Sequence, residues 1–389
     1  MSPATLLVVG ASLAGLRACE AARRAGWTGR VVMVGAEEHL PYDRPPLSKA
    51  VLGAGEPPAP TTLRTADDLA ALGVELRLGA PATGLDLDAR EVLVDGRALA
   101  YDRLVIATGA HARRLPGEQL PGVHVLRTVE DALAVRAALD AGARTVVVGA
   151  GFIGTEVASA ARARGLPVTV VEAASVPLLR AVGAAVAPRV ASLHAEAGVD
   201  LRTGVGVTAL EGDSRVARVV LADGTVLPAD LVVVGTGALP TTGWLAGSGL
   251  TMDDGLVCDE TLQAAPGVWA AGDVARWPLH GASVRLEQWT AAAESGAHAG
   301  RAAAGERAVF TTVPYAWSDV YGRRLQAVGV TSGTDVEVVG DDSRWVALYR
   351  DGDLLAGAFS VDLPGRIMKL RRVVAAGGTV AQARALAAA

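Results

Sequence analysis

Two stretches of the chain follow one plan, and that repetition restricts the possible fold more than any bulk property does. From residue 6, LLVV reads as a buried strand, GASLAG (Gly10 to Gly15) as a glycine-rich turn, LRACEAARRAG as a helix ending at Gly26, and RVVMV as the next strand. Residues 145–172, TVVVGAGFIGTEVASAARARGLPVTVVE, repeat the order of strand, turn, helix and strand. Strands joined by crossover helices make parallel sheets covered on both faces. An internal duplication of this unit therefore predicts an α/β protein with two related halves.

The turns carry the chemistry. In such a turn the first glycine permits a tight bend off the strand. The second lets backbone approach a pyrophosphate, and the third lets the helix pack close to the strand. The helix N-terminus then faces the phosphates. The second unit has the full set, Gly149, Gly151 and Gly154, with Phe152 and Ile153 inside the turn. Glu172 ends its next strand about 20 residues on, where an acid bonds a ribose 2′-hydroxyl. The first unit has Gly10 and Gly15 but Ser12 in the middle, a small residue that weakens the site without abolishing it. Glu37 takes the ribose position there, with Ala36 and Glu38 leaving the register open by one. Two such turns, each with a strand before and an acid after, imply two dinucleotides.

Three further stretches fit. YDRLVIATGA (101–110) and ADLVVVGTGALP (229–240) each run from an apolar strand into a Thr-Gly turn. Ala107, Thr108 and Gly109 in the first, and Gly235 and Gly237 in the second, are placed to close each half onto its dinucleotide. TLQAAPGVWAAGDVA ends in Gly272-Asp273, an acid at a strand end suited to a chain of sugar-like hydroxyls. Alone, Asp273 reads as a helix cap; beside two nucleotide turns it reads as a ligand. LPYDRPPLSK (40–49) sets a stiff Pro45-Pro46 pair between Arg44 and Lys49. Proline fixes φ and restricts its predecessor, so this loop is held in one shape.

The 389 residues allow two or three domains, and 46 glycines suit many short loops. No apolar run reaches the ~20 residues of a membrane span. LLVVG begins almost at once with no signal-like segment before it, so the expectation is a soluble cytoplasmic protein without membrane attachment. A net charge of −5 disfavours nucleic acid. Two cysteines, six histidines and no CxxC or HxxxH spacing give no reason to expect a metal site.

The ordered set GxSxAG, LPYDRPPLSK, YDxLVIATGA, GxGFIGxE, VxVVE, GVWAxGD, RxEQW and PYAWSD resembles the bacterial FAD- and NAD(P)H-dependent ferredoxin reductases that serve cytochromes P450 and Rieske-type oxygenases. The likeness extends from residue 6 to about 375. It implies a discontinuous FAD domain (1–112 and 238–309), an inserted NAD domain (113–237) and a C-terminal α+β domain (310–389). The resemblance makes Lys49 and Glu156 the catalytic pair, the ammonium lying against the flavin and the carboxylate close to it. A cation there favours the anionic reduced ring. By the same likeness Ala14, Glu37, Arg44, Lys49, Ala82, Arg127, Asp273 and Trp289 contact FAD, with Glu287 and Gln288 beside Trp289 in RLEQW. Trp317 packs near the flavin from the C-terminal domain. Three positions depart from the family's commoner pattern: Ala36 for Asp, Thr241 for Asn and His111 for Arg.

The implied reaction takes electrons from NADH through FAD to a [2Fe–2S] ferredoxin. Glu172 would repel a 2′-phosphate, and Ala173 and Ala174 supply no cation, so NADH is expected over NADPH. A disulfide reductase, NADH oxidase or peroxidase would need a cysteine beside the flavin. Here Cys19 lies inside the first helix and Cys258 in a GLVCDE strand. A slow redox-sensing flavoprotein and a rubredoxin reductase stay as alternatives. Arg366, Lys369, Arg371 and Arg372, with Arg323 and Arg324, could steer an acidic ferredoxin or simply form a solvated face. Monomer and dimer are both open.

Overall fold

A strand such as TVVV, buried at every position, fits only inside a parallel sheet covered on both faces. The computed structural model describes residues 3–56, 58 and 61–388 and contains two such sheets, in two compact units. The first unit comprises Met1–Asp43, Thr61–His111 and Leu239–Thr312; the second comprises Arg44–Pro60, Ala112–Ala238 and Val313–Ala389.

In the first unit the sheet order is Gln263–Ala265, Val268–Ala270, Arg103–Ile106, Thr5–Val9, Arg30–Val34, Val74–Arg77. All neighbours are parallel except the first pair. The strand order reverses at Thr5–Val9, so the glycine turn leaves the sheet at its topological switch point, where open α/β sheets bind ligands. Helix Leu13–Arg24 ends two residues before Gly26. It packs almost backbone to backbone against helix Trp289–Ala303. A Cβ on Gly296 would lie 2.2 Å from the Ala14 carbonyl oxygen, and one on Gly300 2.1 Å from that of Ala18.

In the second unit the order is Asp200–Thr203, Val168–Glu172, Thr145–Val148, Leu231–Val234, Val123–His124, parallel throughout. Its switch point falls at Thr145–Val148, again where the glycine turn begins. The same unit contains a five-stranded antiparallel sheet, ordered Tyr315–Val320, Arg323–Gly329, Leu354–Val361, Trp345–Asp351, Val336–Gly340. Helices Pro364–Ala375 and Val380–Ala388 bury Ile367, Leu370 and Ala383 against one face. Helix Leu179–Glu196 buries Val182, Val186 and Val190 against the other. The architecture is α/β with two Rossmann-like sheets and a C-terminal α+β segment, as the duplication and the family likeness imply. Among the described residues no helix is long and apolar enough to cross a membrane.

Candidate active site

The two glycine turns are built alike. Gly10 has φ +124°, and a Cβ there would lie 2.1 Å from the Ala107 carbonyl oxygen. Gly149 has φ +102°, and its Cβ would lie 2.4 Å from that of Gly235. Positive φ is the region that glycine alone enters without penalty. Gly15 and Gly154 would place a Cβ 1.9 Å and 2.0 Å from the carbonyl oxygens of Gly10 and Gly149. Each third glycine thus lets its helix lie directly on the turn. Ala107-Thr108-Gly109 and Gly235-Thr236-Gly237 complete the parallel. Ala107 N–H donates to the Val9 carbonyl (2.7 Å), and Gly235 N–H donates to that of Val148 (2.7 Å).

Each turn leads into a helix whose N-terminus is left without a side-chain cap. Ser12 and Gly151 are the N-cap residues of helices Leu13–Arg24 and Phe152–Ala163; the Ser12 hydroxyl does not cap its helix, and Gly151 has no side chain to do so. Neither helix carries an acid in its first turn. A Cβ on Gly151 would meet nothing within 4 Å, so the open side of that turn is not filled by protein. Both helix N-termini keep their favourable field for an anion. Phe152 and Ile153 open the second helix, Ile153 exposed and Phe152 against the core of the C-terminal sheet. Ala14 is buried under Gly272 and Gly296.

The two acids differ. The Glu172 carboxylate accepts the Ala150 N–H (2.7 Å) and the Ala174 N–H (2.8 Å), which fixes it across its own turn. Glu37 accepts from the Tyr42 hydroxyl at 2.6 Å. Asp273 sits in a 3-10 turn, Gly272–Val274, and is not the cap of an α-helix. Gly272 N–H donates to the Ser295 hydroxyl (2.9 Å). Ala82 opens a strand, Ala82–Asp86, half-buried against the first unit's core. Glu287 accepts from Arg285 (2.7 Å), Gln288 is the N-cap of helix Trp289–Ala303, and the Trp289 indole N–H donates to Asp43 (2.6 Å). Two of the departures from the family pattern meet: His111 Nδ1 and Thr241 Oγ1 are 3.3 Å apart.

In the second unit, Pro45–Ser48 form a 3-10 turn that ends on Lys49. Lys49 Nζ is 2.8 Å from Glu156 Oε1. Ser48 donates to Glu156 Oε2, and Ser318 donates to Oε1 at 2.5 Å. Arg44 donates to the Arg127 carbonyl (2.6 Å), beside the capping box of Thr128 and Asp131 that opens helix Val129–Asp140. Trp317 stacks on Tyr315 with centroids 5.7 Å apart, and the Arg324 guanidinium lies 6.0 Å over its ring.

The loop carrying Lys49 is tied down by two arginines. Arg136, buried, donates to the carbonyls of Val51, Gly53, Gly55 and Glu56. Arg164 donates to those of Leu52 and Gly53. This accounts for the grouping of that loop with the second unit. Sequence reading passed over Arg136, Arg164, Ser48, Ser318 and Asp43. Asp43 and Ser48 lie in LPYDRPPLSK, Ser318 in PYAWSD and Arg164 in the second repeat, whereas Arg136 lies in none of these stretches.

Neither cysteine can act as a nucleophile in its resting place. Cys19 is fully buried in helix Leu13–Arg24, and Cys258 is buried just after strand Leu256–Val257 rather than within it. Burial pushes both thiols up to about 12, where the reactive thiolate is absent at neutral pH.

The sequence model described as Pyridine nucleotide-disulphide oxidoreductase matches residues 4–296, and the one described as Reductase C-terminal matches residues 315–389. The chain belongs to the pyridine nucleotide-disulphide oxidoreductase family. Rhodocoxin reductase of Rhodococcus erythropolis is 38% identical over 381 residues, covering 95% of this chain and 89% of that protein. The ferredoxin reductase component of chlorobenzene dioxygenase from Cupriavidus sp. (strain PS12) is 37% identical over 386 residues, covering 97% and 94%. Among solved structures, the covalent putidaredoxin reductase–putidaredoxin complex matches with a TM-score of 0.92 at 34% identity, over 97% of this chain and 94% of that one. These matches cover 95–97% of this chain.

Proposed function

We propose that this chain is an NADH-dependent flavoprotein reductase that passes electrons to a [2Fe–2S] ferredoxin feeding a cytochrome P450 or Rieske-type oxygenase. One observation carries it: two congruent glycine turns in a chain whose two thiols are buried, with the half-buried ammonium of Lys49 in the RPPLSK loop paired to the buried carboxylate of Glu156. FAD goes to the first turn and NADH to the second. Bound FAD supplies hydride acceptance from NADH and release of single electrons.

The protein's part is to bind, orient and tune. Gly10, Ser12, Gly15, Ala107, Thr108, Gly109 and Asp273 would hold the FAD diphosphate and ribityl hydroxyls, with Glu37 toward the ribose. Gly149, Gly151, Gly154, Gly235 and Gly237 would hold NADH. Glu172, braced by two amides, accepts from a 2′-hydroxyl and repels a 2′-phosphate. Lys49 presents a fixed cation to the flavin, with Glu156 holding its ammonium in place. Ala82, Arg44, Arg127, Trp289 and Trp317 are the remaining proposed contacts. The discontinuous FAD domain, inserted NAD domain and C-terminal domain, and a cytoplasmic location, belong to the same proposal.

The docking surface contracts to part of the basic cluster. Arg323 pairs with Asp362, Arg324 with Asp319, Arg366 donates to the Ala387 carbonyl, and Arg371 donates to that of Val313. Lys369 and Arg372 are exposed on helix Pro364–Ala375 and are the better candidates to steer an acidic partner.

The test is an absorption spectrum of the purified protein before and after NADH, then cytochrome c reduction with and without a [2Fe–2S] ferredoxin. A flavin spectrum bleached by NADH and strong ferredoxin stimulation are expected. A protein that takes up no flavin, or ferredoxin-independent slow turnover, overturns the reading.

A further inference from the structure

Glu156 is only 2% exposed. A carboxylate taken out of water to that extent costs several kcal/mol unless its oxygens are hydrogen-bonded. Lys49 pairs with Oε1 at 2.8 Å. The remaining demand is met by two hydroxyls from distant parts of the chain. Ser318, in strand Tyr315–Val320, donates to Oε1, and Ser48, at the end of the Pro45–Ser48 turn, donates to Oε2. Ser48 is 4% exposed and Ser318 0%. Water cannot readily replace either donor, and an ionised carboxylate can only accept. Ser48 has one other acceptor within reach, the Pro45 carbonyl at 3.5 Å, which is too long to compete.

We infer that Ser48 and Ser318 are positioning residues that hold the Glu156 carboxylate in one orientation, and through it fix the Lys49 ammonium. The inference rests on the reading above, in which Lys49 serves the flavin. The two hydroxyls draw charge off the carboxylate, so Lys49 is paired without being fully neutralised and keeps a net positive field. Removing a hydroxyl leaves a buried lone pair unsatisfied and concentrates the negative charge next to the ammonium. The reduced, anionic flavin then loses stabilisation. Ser318 follows Trp317 directly, and successive strand residues point to opposite faces. The strand that presents Trp317 on one side is therefore tied to Glu156 on the other.

The experiment uses the FAD-loaded full chain with Ser48→Ala, Ser318→Ala and the double variant, each also in a Glu156→Gln background. It reads the flavin midpoint potential by dye equilibration, and kcat and KM for NADH with ferricyanide as acceptor. The double variant is expected to shift the oxidised-to-reduced equilibrium about tenfold toward oxidised, about 30 mV for a two-electron couple. The reduction rate should fall about tenfold, with KM for NADH within about twofold. Ser318→Thr should restore most of the loss, and the serine changes should add nothing once Glu156 is Gln. Should Ser318→Ala not fold, Ser318→Cys, a weaker donor of similar size, carries the same test. Unchanged potential and rate in the double variant, when NADH does reduce the wild type, overturn the inference alone. So does a loss equally large in the Glu156→Gln background. A wild type that takes up no FAD overturns the functional reading as well.

Discussion

The glycine turns at Gly10–Gly15 and Gly149–Gly154 share a backbone but not a chemistry. In both, the first glycine has positive φ under a carbonyl of the neighbouring strand's turn, and the third lies on the carbonyl of the first. They differ in the residue between and in the acid that follows. The second turn keeps Gly151, open on its outer side, and braces Glu172 with its Ala150 amide, joined by the Ala174 amide just past the acid. The first has Ser12, and its acid is held from outside by Tyr42. The half proposed to bind NADH, and so to release a spent dinucleotide at every turnover, keeps the acid held by nearby backbone. The half proposed to retain its flavin draws on loops around it. On that proposal the shared backbone sets where a phosphate would go, and the surrounding side chains set which dinucleotide is taken.

Replacing the third glycines tests the shared part and should give the largest effects. Gly15→Ala and Gly154→Ala each place a methyl about 2 Å from a carbonyl oxygen, and such overpacking costs about 1–3 kcal/mol. Gly15→Ala should lose FAD on gel filtration. Gly154→Ala should keep the flavin spectrum and raise KM for NADH about 10- to 100-fold. If both lose FAD equally, the two turns do not serve different ligands.

Arg136→Ala removes the charged donor of four carbonyls in the loop that carries Lys49. Bonds from a charged donor are worth about 1.5–3 kcal/mol, so the melting temperature should drop by several degrees, together with the rate of flavin reduction. A stable variant with a normal rate would show that the loop holds Lys49 unaided.

Glu172→Ala should cut the kcat/KM preference for NADH over NADPH by about tenfold, one bonded sugar hydroxyl's worth at 1.4 kcal/mol per decade. Equal preference in the wild type would already remove this role. Gly151→Ser, which copies the first turn into the second, should raise KM for NADH severalfold with an unchanged melting temperature, because the added side chain meets only the ligand's space. A drop in stability instead would show that the turn itself needs glycine there. Smallest of all, Cys19→Ser and Cys258→Ser should leave turnover within about twofold. Native protein should resist iodoacetamide at pH 8, as thiols pushed up to about 12 require.

The local plan was readable from residues alone because its causes are local. Strand TVVV, the glycines at fixed spacing and the helix after them each obey rules spanning a few residues, and the parallel sheets followed. The helix end at Arg24 and the place of Cys258 were off by one or two residues, since element ends depend on tertiary contacts more than on propensity. The motif order carried the family and, with it, the Lys49–Glu156 pair. What the chain order could not show is which distant groups meet. Asp43 reaches Trp289, Ser318 reaches Glu156, and Arg136 reaches four carbonyls past Lys49. Those contacts join residues tens to hundreds of positions apart, and a hydroxyl or guanidinium has no spacing rule that names its acceptor. Burial makes them matter: only once the fold has excluded water does each lone pair need a particular donor.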